Sequence, residues 1–522
     1  MHRIRRNSSS FAVALAALLA SGLSSAAGLT PDLLVDLNRL SDPSVSNSGT
    51  RVVYTLRSTD RDANRGRTDL WLLDLGNPEQ AEPWQLTTHS AGDFNGRFSA
   101  DDQWIYFLST RGGSSQVWRL SLSGGDPMPV TDYSLDVQGF KLSADNRNLV
   151  VALAIVDECG TDLGCSHEAL TATPKNSAQI YDRLFVRHWD SWDKGTVNAL
   201  FAQPLDKQGK ADGSLVHLSR KLNVNVPSKP FGGMEEVAIA PDGRNVVFAA
   251  RVRSQNEAWS TNLDLYQVPM KGGRAKNLTE DNLATDTAPV FARDGSALYW
   301  LAMSRPGFEA DRFRIMRRTS GNEAIEIAPD WDRSPGSLSM SLDGNSLYAI
   351  ANDNGRRRLF EIPAMGGNAT ALTAFGWVNS VAPASAGPVV ALDSLHQPAD
   401  LYQLGKDDGG LYRLTEVNKA KLSGVQFGVY EQFQFAGWNN ETVSGYVMQP
   451  VGAVAGRKYP VAFLIHGGPQ GSFGDHFHYR WNPQTYAAQG YGVVFIDFHG
   501  STGYGQAFTD SISGDWGGKP LV

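Results

Sequence analysis

A short unit recurs along most of the chain: a turn of the small/Pro-Asp-Gly kind that runs directly into an alternating apolar strand. It occurs at Asn47-Ser48-Gly49, Ala100-Asp101-Asp102, Ala144-Asp145-Asn146, Pro241-Asp242-Gly243, Arg293-Asp294-Gly295, Leu342-Asp343-Gly344 and, more weakly, Ser385-Ala386-Gly387. Pro241 and Gly243 suit a type I turn, in which proline presets the second position and glycine fits the fourth. Strands such as Trp104-Ile105-Tyr106-Phe107-Leu108 and Asn245-Val246-Val247-Phe248-Ala249 follow the turns. Each unit then continues with an amphipathic strand, often a Gly-Gly turn, and a short strand ending in Leu-Thr or a close variant. Leu265-Tyr266-Gln267-Val268 with Gly272-Gly273 and Leu278-Thr279 is one instance. Most spacings between turns fall between the low forties and the low fifties, the length of one four-stranded propeller blade. A lone four-stranded sheet cannot bury both apolar faces, so such sheets stack radially and hide them against neighbours. The expected architecture is an all-β, seven-bladed (±1) β-propeller over residues 28–425.

One gap, from Asn146 to Gly243, is about twice as long as the others. It reads as a single blade carrying a large insertion, which holds Tyr181–Trp189 and both cysteines of the chain, Cys159 and Cys165. In an oxidising compartment two nearby cysteines on a Gly-containing loop favour a disulfide. The rival is a metal pair with His167, but a zinc site needs about four ligands and no second pair is present. No metal and no cofactor are expected.

Composition narrows the function classes. With 522 residues, 41% hydrophobic and 19% charged, the chain has the make-up of two or three folded domains. Net charge is −7 and no Lys/Arg stripe occurs, so nucleic acid is not an expected partner. Residues 1–27 read as an export signal: Arg3, Arg5 and Arg6 form a basic start, Phe11–Ala20 an apolar stretch, and Ser25-Ala26-Ala27 a small-residue cleavage site. The apolar stretch is far short of the roughly 20 residues a membrane helix needs. The expected location is the periplasm or the medium, with no membrane attachment once the signal is removed.

After Thr415 the period changes. Gln432–Phe435 and Val443–Met448 read as a hairpin, and Val461–Ile465 as a buried parallel strand running into the turn His466-Gly467-Gly468-Pro469-Gln470. Asn482-Pro483 supplies an N-cap and first-turn proline for a helix ending at Gly490. A second buried strand, Gly492–Ile496, leads to His499-Gly500-Ser501-Thr502-Gly503-Tyr504-Gly505. Strand, helix, strand is the opening of a parallel α/β sheet. The turn His466–Pro469, Arg480-Trp481, the Gly500–Gly505 loop and Asp515-Trp516-Gly517-Gly518 together resemble the prolyl oligopeptidase family of serine peptidases. The acylaminoacyl-peptidase and bacterial dipeptidyl-peptidase branch is the nearest, and the Arg187–Trp192 segment is similar to it as well. The resemblance implies a propeller capping an α/β-hydrolase domain, here residues 426–522, with short peptides as substrates. It assigns the backbone N–H of Gly468 to the oxyanion hole, a donor facing the charge that develops on the acyl oxygen. It makes His466 a structural neighbour of the site rather than its base. His476, His478 and His499 are expected to pack or face solvent, and His499 stands where relatives carry Arg.

An α/β-hydrolase places its nucleophile in a G-x-S-x-G elbow, followed by its acid and its base. No such pentapeptide occurs in the chain, and Ser472 and Ser501 lack the spacing. The expectation is therefore an incomplete α/β-hydrolase domain in a truncated, inactive chain. The strand Val461–Ile465 would carry an unpaired apolar edge, and residues beyond about 426 would be poorly ordered. Arg187, Asp190 and Asp193 are candidate substrate contacts, with blade-to-blade packing as the alternative. A periplasmic TolB-like binding propeller and a peptide-binding pseudoenzyme are the competing functions.

Overall fold

Each recurring turn joins the first two strands of a four-stranded antiparallel meander, and the turn aspartates show why the unit repeats. Asp101 Oδ1 accepts from the Ser99 hydroxyl at 2.5 Å and the Gln103 N–H at 3.2 Å. Asp145 does the same with Ser143 and Arg147, and Asp343 with Ser341 and Asn345. A short carboxylate that bonds the backbone two residues on closes the turn locally. The third turn residue has positive φ at Asp102, Asn146 and Gly243 alike, a conformation that Gly, Asn and Asp tolerate best.

The computed structural model describes residues 27–76, 82–173, 176–181, 184–405 and 409–522. The basic and apolar stretches of the expected export signal, and Asp182 and Arg183 of the insertion, lie outside the described residues. The first meander runs Arg39–Val45, Arg51–Asp60, Arg65–Asp74 and Trp84–Gln85. Further meanders follow in sequence order. Between Pro335 and Arg413 two of them share an eight-stranded sheet through a parallel bridge, Arg357 to Trp377. The third meander carries the insertion between Asn148–Val156 and Thr196–Pro204. The insertion contains a helix, Leu163–Thr171, a short hairpin, Arg187–His188 with Ser191–Trp192, and a disulfide between Cys159 and Cys165.

Apolar side chains gather between consecutive meanders. Val53, Leu70 and Phe107 pack between the first and second, and Val150, Leu200 and Phe248 between the third and fourth. Leu40, Val52 and Tyr54 of the first pack on Val389, Ala391 and Leu401 of the last. The sheets stay separate there, and contact is by packing plus the Ser385 N–H and hydroxyl, which both donate to the Gly49 carbonyl, at 3.3 and 3.0 Å. Asp42, Asn95, Lys141, Glu235, Ala288, Ser337 and Ser380, one from each meander, line a single cavity of about 710 Å³.

The C-terminal sheet is mixed. Tyr430–Ala436, Thr442–Met448 and Gly492–Asp497 pair antiparallel, and Val461–Leu464 adds parallel to Gly492–Asp497 at the edge. The helix Pro483–Ala487 starts as its sequence predicts, with the Asn482 side chain accepting from the Gln484 N–H at 2.9 Å. Two expectations change. Val461–Leu464 is not buried: at the edge of the sheet, Val461 is 63% and Phe463 52% exposed. Residues 28–37, which the repeats alone assign to the propeller, pack on the second region, with Leu29, Leu34 and Leu37 against Phe477. Among the described residues no helix is long and apolar enough to cross a membrane.

Candidate active site

The strand Val461–Leu464 delivers its chain into the turn His466-Gly467-Gly468-Pro469. Gly468 has φ 134°, and a Cβ there would lie 2.7 Å from the Gln470 nitrogen, so only glycine fits. His466 orients the peptide unit before it. Its Nδ1 lies 2.8 Å from the Gly467 carbonyl oxygen, which can only accept, so Nδ1 carries the proton. Across a trans peptide the Gly468 N–H then points the opposite way, and it makes no hydrogen bond among the described residues. Gly468 lines a cavity of about 360 Å³. Gln470, Thr502, Gly503 and Gln506 share that side, and Met303, Asp311, Phe313 and Asp332 of the meander loops face them.

A buried polar cluster stands behind the turn. His466 Nε2 is 2.9 Å from Ser501 Oγ, and the imidazole stacks on Phe498 at 4.4 Å. Asp497 accepts from Ser472 Oγ and the Tyr504 hydroxyl, both at 2.7 Å. Burial pushes its carboxyl above the usual range, against the pull of those two donors. Serine, histidine and aspartate are thus together, but not as a relay. A working triad puts the acid on one ring nitrogen and the nucleophile on the other. Here Asp497 Oδ1 approaches Nε2, at 3.8 Å, the same nitrogen that meets Ser501, and Ser501 is fully buried. The cluster is a brace, and the Thr502 N–H on the Gly471 carbonyl at 3.0 Å ties turn and loop together.

The meanders hold that loop from the other side. Asn352 Nδ2 donates to Thr502 Oγ1 at 2.8 Å, the Gln506 N–H to Asp332 at 3.0 Å, and Arg305 forks onto Asp510 at 2.8 and 2.9 Å. His476 meets Asp393 at 2.9 Å, and the buried His499 meets Glu441 at 2.9 Å. The other sequence candidates lie elsewhere. Arg187 is exposed and donates to the Trp189 carbonyl, Asp190 is exposed, and Asp193 faces Lys229 at 3.8 Å. None of the three lines the cavity with Gly468. Asp332, Arg305 and Gln506 carry no motif, and their separation along the chain hides them from any local reading.

The sequence profile of the prolyl oligopeptidase family matches residues 477–521. Dipeptidyl-peptidase 5 of Aspergillus fumigatus (strain CBS 144.89 / FGSC A1163 / CEA10) is 30% identical over 537 residues, covering 96% of this chain and 72% of that protein. Dipeptidyl-peptidase 5 of Schizosaccharomyces pombe is 30% identical over 448 residues, 84% of this chain and 63% of that protein. Among solved structures, an acylaminoacyl peptidase in complex with Z-Gly-Gly-Phe-chloromethyl ketone shares the fold with TM-score 0.72 at 18% identity, over 92% of this chain and 68% of its own. A puromycin-hydrolyzing peptidase of Mycobacterium tuberculosis does so with TM-score 0.62 at 16% identity, over 93% and 70%. The chain belongs to the prolyl oligopeptidase family of peptidases.

Proposed function

We propose that these residues form the propeller and the leading hydrolase portion of an exported serine-type peptidase acting on short peptides or N-terminal dipeptides. The observation that carries the reading is the 30% identity to a dipeptidyl-peptidase across 96% of the chain. The Gly468 donor at the cavity wall supplies the chemistry. A substrate carbonyl would point its oxygen at that N–H, and the donor would stabilise the oxygen more as it gains charge than in the ground state. Removing one such donor costs roughly 10²–10³ in rate. The acyl-enzyme step needs a serine, an acid and a base. No G-x-S-x-G occurs in the 522 residues, so for these residues alone the proposal is peptide binding without turnover.

Packing of the last meander on the first, around one shared cavity, supports closure as a seven-bladed propeller within residues 28–425, of which 28–37 reach over onto the second region. Residues 426–522 are then the hydrolase portion and 1–27 the export signal, with the periplasm or the medium as destination. A disulfide suits such a compartment. Arg187, Asp190 and Asp193, outside the cavity, would meet only peptide that extends beyond it.

Calorimetric titration with Gly-Phe amide tests the reading. Saturable binding at one site per chain is expected. It should be lost in Gln470→Trp, which fills the cavity from its wall, with the thermal midpoint retained. No saturable binding at millimolar peptide would sink the proposal. Export is checked by cell fractionation and by N-terminal sequencing, which should begin at Gly28.

A further inference from the structure

In the first meander an arginine stands directly opposite an arginine. The antiparallel register pairs Arg39 with Arg57, and the next pair on the same face is Ser41 with Thr55. Like charges facing each other across two strands repel, and burial, with Arg57 second, holds the Arg39 guanidinium below its ordinary range. Other strand arginines have carboxylates: Arg97 meets Asp42 at 2.8 Å and Arg111 meets Asp93 at 2.6 Å. Among the described residues neither Arg39 nor Arg57 enters an ion pair or a side-chain hydrogen bond, and Arg39 Nε and Arg57 Nη1 are buried without a partner. Thr55 is 5% exposed, and its hydroxyl is also buried and unpaired. Leaving a buried donor unpaired is costly, and here three of them share one strand pair.

The surroundings fix both side chains. Arg39 Cζ stands 4.6 Å over the ring of Tyr479, whose hydroxyl donates to the Asn38 carbonyl at 3.2 Å, so the C-terminal region walls one side. A Cβ at Gly66 would collide with the Arg57 guanidinium, and glycine there leaves the room that this side chain fills. Ser41 is exposed and opens the patch to solvent. Two guanidinium forks and two hydroxyls therefore meet with no carboxylate among them. Such a set repels cations and matches the oxygens of a carboxylate or a phosphate, which a fork takes two at a time. We propose that Arg39 and Arg57, with the hydroxyls of Ser41 and Thr55, form an oxyanion-binding site where the first meander meets the C-terminal region. None of the four lines the cavity with Gly468, so this is a second site, and it stands independently of the peptidase reading. A peptide carboxylate and an inorganic anion offer the same oxygens, and the test separates these sources.

Two measurements on the full chain test it. Millimolar sodium phosphate should raise the thermal midpoint by about 1–3 °C over sodium chloride of equal ionic strength, since a ligand held only by the folded state stabilises it. In calorimetry the tetrapeptide Gly-Phe-Ser-Gly as free acid should bind about 10-fold more tightly than its C-terminal amide, the scale of charge-assisted hydrogen bonds. The double variant Arg39→Gln/Arg57→Gln should abolish both effects and keep the midpoint in chloride and the binding of Gly-Phe amide. A phosphate shift with equal binding of acid and amide supports the site and makes its ligand an inorganic anion. Absence of both effects in the native chain overturns the inference, as does either effect surviving in the double variant. If that variant does not fold, Thr55→Val, which keeps the buried shape and loses the hydroxyl, should weaken anion binding about 3-fold, and unchanged binding there counts against the site. Failure of Gly-Phe amide to bind the native chain counts only against the peptidase reading.

Discussion

The meanders and the C-terminal sheet solve the same problem in opposite ways. In residues 39–413 the successive meanders pack face to face, so strands such as Asn245–Val252 bury Val246, Val247, Phe248 and Ala249 completely. Each repeat supplies the cover its neighbour needs, and the last repeat covers the first. The sheet of residues 430–497 has a thin core of Tyr446, Met448, Val493 and Phe495, completed by Leu395 from the last meander. Its polar order is also borrowed. Asp475 accepts the Gly376 N–H at 2.9 Å, the Leu395 N–H at 3.0 Å and the Tyr430 hydroxyl at 2.8 Å. Gln484 donates to the Leu395 carbonyl at 3.1 Å, and the Tyr446 hydroxyl to the Gly355 carbonyl at 3.0 Å. One region is stable by repetition, the other by docking, and the Gly468 turn belongs to the docked one.

The contrast can be broken at the dock. Asp475→Ala leaves two buried N–H groups without an acceptor and should weaken docking by about 3–5 kcal/mol. Limited proteolysis followed by mass spectrometry should then release fragments from residues 426–522 while the meanders resist. Loss of both regions together would show that they unfold as one unit. A core deletion inside the repeats should act differently. Phe248→Ala removes a fully buried ring and should cost about 3–4 kcal/mol, lowering the main thermal transition, whereas Phe495→Ala should lower only the unfolding of the docked sheet.

A pH scan sharpens the same distinction. Burial pushes the carboxyl of Asp286 up to about 7 although Trp300 Nε1 and Asn282 donate to it. Its folded value lies above its unfolded one, so the folded state holds more protons between about pH 4 and 7. Stability of the meanders should therefore fall as pH rises through that window. Asp286→Asn should flatten this slope and raise the midpoint at neutral pH by about 2–4 °C, read by calorimetry. The smallest expected effect is at the exposed edge. Phe463→Ser should change stability by less than about 0.5 kcal/mol yet reduce self-association in sedimentation, because an uncovered apolar strand is a template for pairing. Unchanged association would place the sticky surface elsewhere.

What the sequence determined was local and periodic. The Asp-Gly turns, the blade-length spacing, the Asn482 cap and the strand-helix-strand order are set by neighbours a few residues apart, where backbone sterics and side-chain alternation act directly. The resemblance carried by the His466–Pro469 turn and the Gly500–Gly505 loop named the family on similar grounds. Tertiary structure alone decided the rest. It placed Arg305 on Asp510 across 205 residues and Asp332 on Gln506 across 174, and it drew residues 28–37 onto the second region. It gave His466 two partners at once, showing a brace where the bare residues Ser501, His466 and Asp497 invite a triad. It also exposed Val461 and Phe463, which an apolar run had marked as buried. Such contacts depend on which surfaces meet after the chain has folded, and no spacing along the sequence encodes that meeting.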